Sequence, residues 1–251
     1  SLTQAAGVTT YTGFQGTQTI AASTYTVGLT VDLTTSSDDD NDLVTTGSGD
    51  DIVKFDGANG LADGDSINLG SGTDTIQLLN SAAAVTAAPD LDNISGVEKI
   101  VMPDADGLAS TSAEKVTITF EAVAETAAQT IIVDGSASTD TKDTLVVNMD
   151  SNAQALTGFT ITAGAGASTL TGGAGVDTIT GGASIDTIDG VEGNDIIDGG
   201  GGNDIITDGT GNDTVSGGAG NDAITLAAGV DIIDGGAGDD TFAVGANITS
   251  L

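Results

Sequence analysis

The chain has 251 residues, of which 37 are acidic and only 4 are basic, so its formal net charge is −33. This charge opposes binding to nucleic acid, whose phosphates would be repelled. The absence of Cys and His excludes disulfides, thiolate or imidazole metal sites, an HExxH zinc protease and a Ser–His–Asp triad. No apolar run is long enough to cross a bilayer as a helix.

The composition also predicts what kind of core the protein has. Hydrophobic residues make up 38% of the chain, too many for a disordered acidic tail, but aromatic residues make up only 3%. A core of Ile, Val, Leu and Ala is therefore expected to be thin and extended. Of the 37 acids, 32 are Asp and 5 are Glu. Asp is typical of turns and of sites for hard cations, whereas Glu favours helices.

The N-terminal part contains strand signals and a first set of acidic repeats. Residues 1–36 include TQTIAA, TYTVGLT and VDL, which indicate strands. Over residues 37–77, four aspartates each precede an apolar residue by two positions: Asp42, Asp51, Asp65 and Asp74. Five extra residues, from Phe55 to Asn59, separate the second repeat from the third, and we interpret them as a loop at a solenoid corner.

Residues 78–162 lose the repeat but keep segments rich in β-branched residues, beginning at Val97, Lys115, Gln129, Asp143 and Phe159. These segments recur every 14 to 18 residues, a spacing that we interpret as one solenoid coil each, without metal. The alternative is a separate β-sandwich domain.

The C-terminal third, residues 163–243, is a run of nonapeptides followed by a short tail, 244–251. Eight consecutive copies start at Gly172, and the copy before them, from Ala163, has Ser168 in place of Asp and is interpreted as a cap. Position six is Asp in all eight: Asp177, Asp186, Asp195, Asp204, Asp213, Asp222, Asp231 and Asp240. Position eight is apolar in all eight: Ile179, Ile188, Ile197, Ile206, Val215, Ile224, Ile233 and Phe242.

This spacing predicts a turn of six residues and a strand of three in each nonapeptide, with two nonapeptides completing one coil. Every second Asp then lies on the same edge, and carboxylates stacked at the strand spacing of about 4.7 Å repel one another. No Lys or Arg follows Lys142, so a cation from solvent must balance them. Oxygen ligands in flexible turns favour calcium over magnesium or zinc. The alternative is that the aspartates only solubilise the turns.

These repeats resemble the RTX family of glycine- and aspartate-rich nonapeptide proteins, with the pattern GGxGxDxUx, where U is a large apolar residue. The resemblance is close over residues 172–243 and looser over 37–77. It implies an all-β parallel β-roll, or β-solenoid, that binds several calcium ions through the position-six carboxylates and glycine carbonyls. The matching glycines in this chain are Gly172, Gly173, Gly175, Gly181, Gly182, Gly199, Gly200, Gly202, Gly217, Gly218, Gly220, Gly235, Gly236 and Gly238.

Several repeats depart from the pattern: Ser184 replaces the fourth glycine, Val191 the second and Asp208 the first, and Leu226 and Ala227 replace the two leading glycines of their repeat. We expect weaker or empty sites at these turns. Pairing repeats two apart predicts six sites in the second block and two in the first, at Asp42 with Asp65 and at Asp51 with Asp74.

The resemblance implies export by type I secretion from a Gram-negative bacterium, and the phrase ISGVEKIVM is similar to segments between repeat blocks of surface-layer and adhesin RTX proteins. We expect a calcium-dependent structural protein of the cell surface that self-associates into a lattice or oligomer. The alternative is a secretion and folding module, or a stalk, of a larger adhesin, toxin or enzyme; the abrupt ends of the chain suggest an excerpt. Catalysis within these residues is not expected. Calcium-bridged binding of a cell-surface glycan is a further expectation.

Overall fold

The computed structural model describes residues 10–12, 19–33, 42–56, 66–79, 94–95, 97–101, 115–120, 130–139, 141, 143–149 and 158–245, and these form β-strands and turns. Among these residues, no helix has the length and apolarity that a membrane span requires. In chain order the described strands are β1 (Thr10–Thr12), β2 (Thr19–Ala21), β3 (Thr30–Asp32), β4 (Leu43–Thr45), β5 (Ile52–Asp56), β6 (Ser66–Asn68), β7 (Thr75–Leu79), β8 (Ile94–Ser95), β9 (Lys99–Val101), β10 (Lys115–Phe120), β11 (Thr130–Asp134), β12 (Thr144–Met149), β13 (Gly158–Thr162), β14 (Thr169–Gly173), β15 (Thr178–Gly182), β16 (Thr187–Val191), β17 (Ile196–Gly200), β18 (Ile205–Thr207), β19 (Thr214–Ser216), β20 (Ala223–Leu226), β21 (Ile232–Asp234) and β22 (Thr241–Val244).

The strands form parallel sheets in which each strand pairs with the second strand along the chain. Within the described residues, the odd-numbered strands make one sheet of eleven, in the order β1 to β21. The even-numbered strands make a sheet of four, β2 to β8, and a sheet of seven, β10 to β22. Successive strands therefore alternate between opposite faces of one winding chain. The protein is an all-β parallel β-solenoid, as the sequence predicts.

A narrow apolar core runs between the sheets. Six of the eight position-eight side chains are at most 2% exposed, namely Ile179, Ile188, Ile197, Ile206, Val215 and Ile224. Parallel pairing stacks them in two columns, for example Ile179 on Ile197 and Ile188 on Ile206. At the last described rungs Ile233 is only partly buried, and Phe242 is 52% exposed. The inward direction of these residues follows from the two-residue alternation of a strand.

Six strands of the repeat block are longer than the predicted three residues. β14 has five, and β20 and β22 have four. β15, β16 and β17 each have five, because they extend into the leading residues of the next nonapeptide. Those leading residues pair across rungs, as Gly182 does with Gly200. The turn proper is accordingly shorter than the sequence indicates.

The coil length differs along the solenoid, and the coil of 14 to 18 residues predicted for residues 78–162 was wrong. The 14- to 18-residue spacing separates strands on opposite faces, such as β9 and β10, and is half a coil rather than a whole one. Paired strands on one face lie 28 to 33 positions apart, as Lys99 does from Ile132 and Thr130 from Gly158. The described strands of this region belong to the same sheets as the repeats, so the sandwich alternative is also wrong. The prediction took its coil length from the nonapeptides, whose half-coils have nine residues. Rungs that lack glycine turns have longer coils.

The predicted corner loop from Phe55 to Asn59 is also wrong in its first residues. β5 continues to Asp56, and the Phe55 side chain is fully buried in the core. Phe55 pairs with Leu78 of β7, so the strand simply runs two residues longer here. The rest of the predicted loop lies outside the described residues.

One non-glycine residue among those described has a left-handed backbone. Val191, at position two of its nonapeptide, has φ +75°. The equivalent Gly200, Gly218 and Gly236 have φ of +90°, +98° and +91°, so this conformation recurs at position two of several turns. A β-branched side chain is disfavoured there because its Cβ crowds the backbone. Val191 is held by the rung pairing and by its amide, which donates to Asp189 Oδ1 at 3.2 Å.

Replacing Val191 with Gly is expected to increase the free energy of unfolding in calcium by about 1 kcal/mol, the strain of a left-handed non-glycine residue less the lost apolar contact. Urea denaturation followed by circular dichroism measures this difference. Val230→Gly is the matched control, because Val230 is 74% exposed and its φ is not positive, so that substitution should be neutral or destabilising. A loss of stability in Val191→Gly would contradict the assignment of strain.

Candidate calcium-binding turns

Stacking of coils brings the position-six aspartates into two columns, one on each edge of the solenoid. The first column contains Asp177, Asp195, Asp213 and Asp231. The second contains Asp186, Asp204, Asp222 and Asp240. Members of a column are 18 residues apart, which is one coil of two nonapeptides.

One carboxylate oxygen of each Asp is used by the main chain of the preceding coil. Asp204 Oδ1 accepts from the Asp186 backbone N–H at 2.8 Å, and Asp222 Oδ1 accepts from the Asp204 N–H at 2.8 Å. The same bond recurs at every described rung of both columns, with distances from 2.6 to 3.1 Å. These bonds fix each carboxylate at the turn and link neighbouring coils.

The other oxygen has no partner within the structure in most of these turns. In the repeat block this holds for Oδ2 of Asp177, Asp195, Asp204, Asp208, Asp213 and Asp222, all of which are buried. Leaving a buried carboxylate oxygen without a partner is unfavourable, so these atoms point to a missing ligand. A hard cation is the ligand that carboxylate oxygens bind.

The first glycine of the repeat makes room at this oxygen. A Cβ added at Gly190 would lie 2.7 Å from Asp195 Oδ2, and one at Gly199 would lie 2.7 Å from Asp204 Oδ2. The backbone carbonyl oxygens of Asp208 and Gly217, one coil further on, approach the same positions. Carboxylate and carbonyl oxygens therefore converge at these glycine turns, and a larger residue would close the space. This oxygen-only donor set fits calcium.

Burial shifts the titration of these groups. It raises the pKa of Asp195 to about 7 and that of Asp177, Asp204 and Asp208 to about 6. Neighbouring carboxylates add to the effect, for example Asp177 and Asp213 beside Asp195. The pKa of Asp186 and Asp213 is also raised, mainly by burial. The folded chain without a cation therefore disfavours the charged form of its own turns.

Asp186 differs from its neighbours. Its Oδ2 accepts from the Gly182 backbone N–H at 2.7 Å, so both oxygens are used by the main chain. The residue one coil earlier is Ser168, which offers no carboxylate and whose N–H donates to Asp186 Oδ1. The nonapeptide that contains Ser168 is not the cap that the sequence predicts, because its strand β14 pairs with β12 on one side and with β16 on the other.

The first repeat block contains a third column with the same bonds. Asp51 Oδ1 accepts from the Leu29 N–H, and Asp74 Oδ1 accepts from the Asp51 N–H, both at 2.7 Å. Oδ2 of both aspartates is buried without a partner, and burial, followed by the charges of Asp51, Glu98 and Asp50, raises the pKa of Asp74 to about 6. Asp42 is buried on the other edge, whereas Asp65 lies outside the described residues.

Two acidic residues in these columns were missed by sequence reasoning. Glu98 Oε2 accepts from the Asp74 N–H at 2.7 Å and so takes the place of a position-six Asp. Asp208, treated from sequence as a departure that weakens its turn, is fully buried with its carboxylate at the column. Asp208, Asp213 and Asp231 each contribute an oxygen to a group in which all three atoms lie within 4.8 Å of one another. The sequence did contain a signal for this role, because an acidic residue at position one adds a carboxylate to the turn.

Without calcium, lowering the pH from 7.5 to 5 is expected to increase the β-sheet signal. The ordinary pKa of 3.8 applies to the unfolded chain, and the folded values of about 6 to 7 are higher, so the folded state binds more protons between these limits. The stability that these groups contribute is greatest below pH 3.8 and is lost as the pH rises through 6 to 7. Far-ultraviolet circular dichroism in the presence of a chelator measures it; a signal that grows with pH would contradict the expectation.

Comparison with protein families gives four overlapping matches to the family described as RTX calcium-binding nonapeptide repeat (4 copies), over residues 160–188, 180–207, 189–224 and 207–242. The matches cover both columns of the second block, and the first block lies outside them. Comparison with curated proteins and with solved structures gives no significant match.

Proposed function

The chain is an RTX calcium-binding nonapeptide repeat protein with a β-solenoid fold, and from this premise we propose that extracellular calcium drives its folding into a structural module of the bacterial surface. The observation that supports this most directly is the columns of buried aspartates whose second oxygen has no partner. Calcium would supply the positive charge that the sequence lacks beyond Lys142.

The residues proposed to hold calcium are the position-six aspartates together with carbonyl oxygens of the glycine turns. In the second block these are Asp177, Asp186, Asp195, Asp204, Asp213, Asp222, Asp231 and Asp240, with Gly173, Gly175, Gly182, Gly200, Gly202, Gly218, Gly220, Gly236 and Gly238 in the turns. In the first block they are Asp42, Asp51, Asp65 and Asp74. Because each column joins successive coils, no such site exists in the unfolded chain. Binding energy therefore becomes folding energy.

This coupling suits a protein that is exported before it folds. RTX repeats typify extracellular bacterial proteins that leave by type I secretion. In cytosol, where calcium is scarce, the acidic columns would oppose folding. Outside the cell, sites with dissociation constants on the order of 10⁻⁴ to 10⁻³ M, as in extracellular modules, would be filled by millimolar calcium. Contacts between neighbouring coils would make the transition cooperative.

Calcium titration of the purified chain is expected to give a cooperative gain of β-sheet signal. Magnesium at the same ionic strength is expected to give no such gain.

Asp204→Asn should raise the calcium concentration at the midpoint of folding at least about threefold, because it removes one ligand charge. The matched control is Asp198→Asn, which makes the same charge change at an exposed residue of an adjacent repeat.

A chain that stays folded in chelator would contradict calcium-driven folding. Equal midpoints for Asp204→Asn and Asp198→Asn would contradict the assignment of the buried column as the ligand set. Asp240→Asn provides a third comparison. It should have a smaller effect than Asp204→Asn, because Asp240 lies in the last described coil, where its column is more exposed.

The proposed surface role rests on the outward residues. Exposed carboxylates and apolar side chains share the eleven-stranded face; Asp198 and Asp234 are exposed, Ile196 is 53% exposed and Ile232 is 70% exposed. Calcium bridging such carboxylates between molecules would join copies of the chain into an oligomer or lattice. The competing role, a folding module within a secreted adhesin, toxin or enzyme, needs no self-association.

Sedimentation velocity is expected to show calcium-dependent oligomers of the folded chain. The double variant Asp198→Asn with Asp234→Asn should fold at the same calcium concentration but assemble less, with at least about a threefold lower oligomer fraction, since exposed charge pairs contribute modestly. A folded chain that remains monomeric at millimolar calcium would contradict the lattice role and favour the folding-module role.

A further inference from the structure

The nonapeptide that starts at Asp208 differs from its neighbours at the residue that lies against the position-six carboxylate. In six of the eight repeats this first residue is Gly, and a Cβ there would crowd the aspartate oxygen. Asp208 instead places a second carboxylate in its own turn. Its side chain is fully buried.

The Asp208 carboxylate also accepts a hydrogen bond from the main chain of a neighbouring coil, but of the following coil rather than the preceding one. Oδ1 accepts from the Ala227 backbone N–H at 2.7 Å, which ties the turn to the next coil. Oδ2 is buried and has no hydrogen-bond partner among the described residues. Asp208 therefore does more than replace a glycine in the turn, because it adds one carboxylate oxygen that could bind a cation.

Three carboxylates meet at this point. Asp213 belongs to the same nonapeptide as Asp208 and has its own buried, unpartnered Oδ2. Asp231 is the position-six residue of the next coil, and its Oδ1 accepts from the Asp213 N–H at 3.1 Å. Ligand oxygens of the three residues all lie within 4.8 Å of one another, an arrangement seen for no other acidic trio in the described part of the chain. Elsewhere the columns bring together two carboxylates per pair of coils.

We propose that Asp208, Asp213 and Asp231 form a calcium site of higher affinity than the two-carboxylate turns, and that it is the first to fill as calcium rises. The inference rests on the proposed function, because it concerns the order in which calcium occupies the turns. Calcium affinity increases with the number of charged ligands in a site. The site joins the coil that starts at Asp208 to the one that starts at Leu226, within the repeat block, so folding spreads from it to neighbouring coils.

The test is calcium titration by isothermal calorimetry, with circular dichroism on the same samples. The wild-type chain should show a first step of about one ion, with affinity about tenfold above that of the later steps, as expected for an added charged ligand. Asp208→Asn keeps the size and the acceptor for Ala227 but removes the charge, and should abolish the separate first step. Asp208→Gly restores the regular repeat residue and should do the same if the Asn variant folds poorly.

The matched control is Asp239→Asn, which removes an exposed carboxylate at position five, where Asn203 and Asn221 stand in other repeats, and should leave the first step unchanged. Uniform affinity in the wild type, or an unchanged first step in both Asp208 variants, would overturn the inference while calcium-dependent folding stands. Failure of the wild-type chain to bind calcium at all would overturn both this inference and the proposed function.

Discussion

The structure depends on the different roles of the two oxygens of each position-six carboxylate. One oxygen accepts a backbone N–H from the preceding coil, as Asp204 Oδ1 does from Asp186, and this bond repeats along both edges. The other is buried in the turn with its charge uncompensated, as at Asp195 and Asp204. The hydrogen bond stabilises the stack, but the same contact desolvates the charge. Where that oxygen has no partner, a coil therefore joins the stack more favourably with a cation or a proton at its turn.

This constraint also relates coil length to sequence. In the repeat block the column residues are 18 positions apart, and in the first block they are 22 to 24 apart. The pairings of the middle region span 28 to 33 positions. Coils are shortest where glycine and aspartate make up the turn. A short turn places the carboxylates of successive coils at the spacing of neighbouring strands. Carboxylates this close repel one another, so the short turns are also the ones that a cation would stabilise most.

The nine-residue period was enough to predict the fold and most of the two columns. Alternation along a strand fixes Ile179 and Ile197 inward, and the 18-residue coil fixes Asp177 above Asp195. The sequence could not predict that one oxygen of each carboxylate accepts a hydrogen bond while the other has no partner. This depends on the exact position of the backbone in the preceding coil. Glu98 was missed because its coil is 24 residues long and its side chain is a different acid. The half-coil error arose because strand spacing alone does not say which face a strand joins.

The departures from the repeat are not spread evenly, and their distribution bears on Asp208. On the edge of Asp186, Asp204 and Asp222, the nonapeptides all begin with two glycines. On the other edge, three successive nonapeptides replace one or both, at Val191, Asp208, Leu226 and Ala227. The amide of Ala227 donates to Asp208 Oδ1, so the added carboxylate supports the backbone of the coil that has lost its glycines. On this edge Asp208 stands where other repeats have glycine, and its side chain supports the backbone through a hydrogen bond. The turn then holds one more carboxylate, whose charge a cation would have to balance.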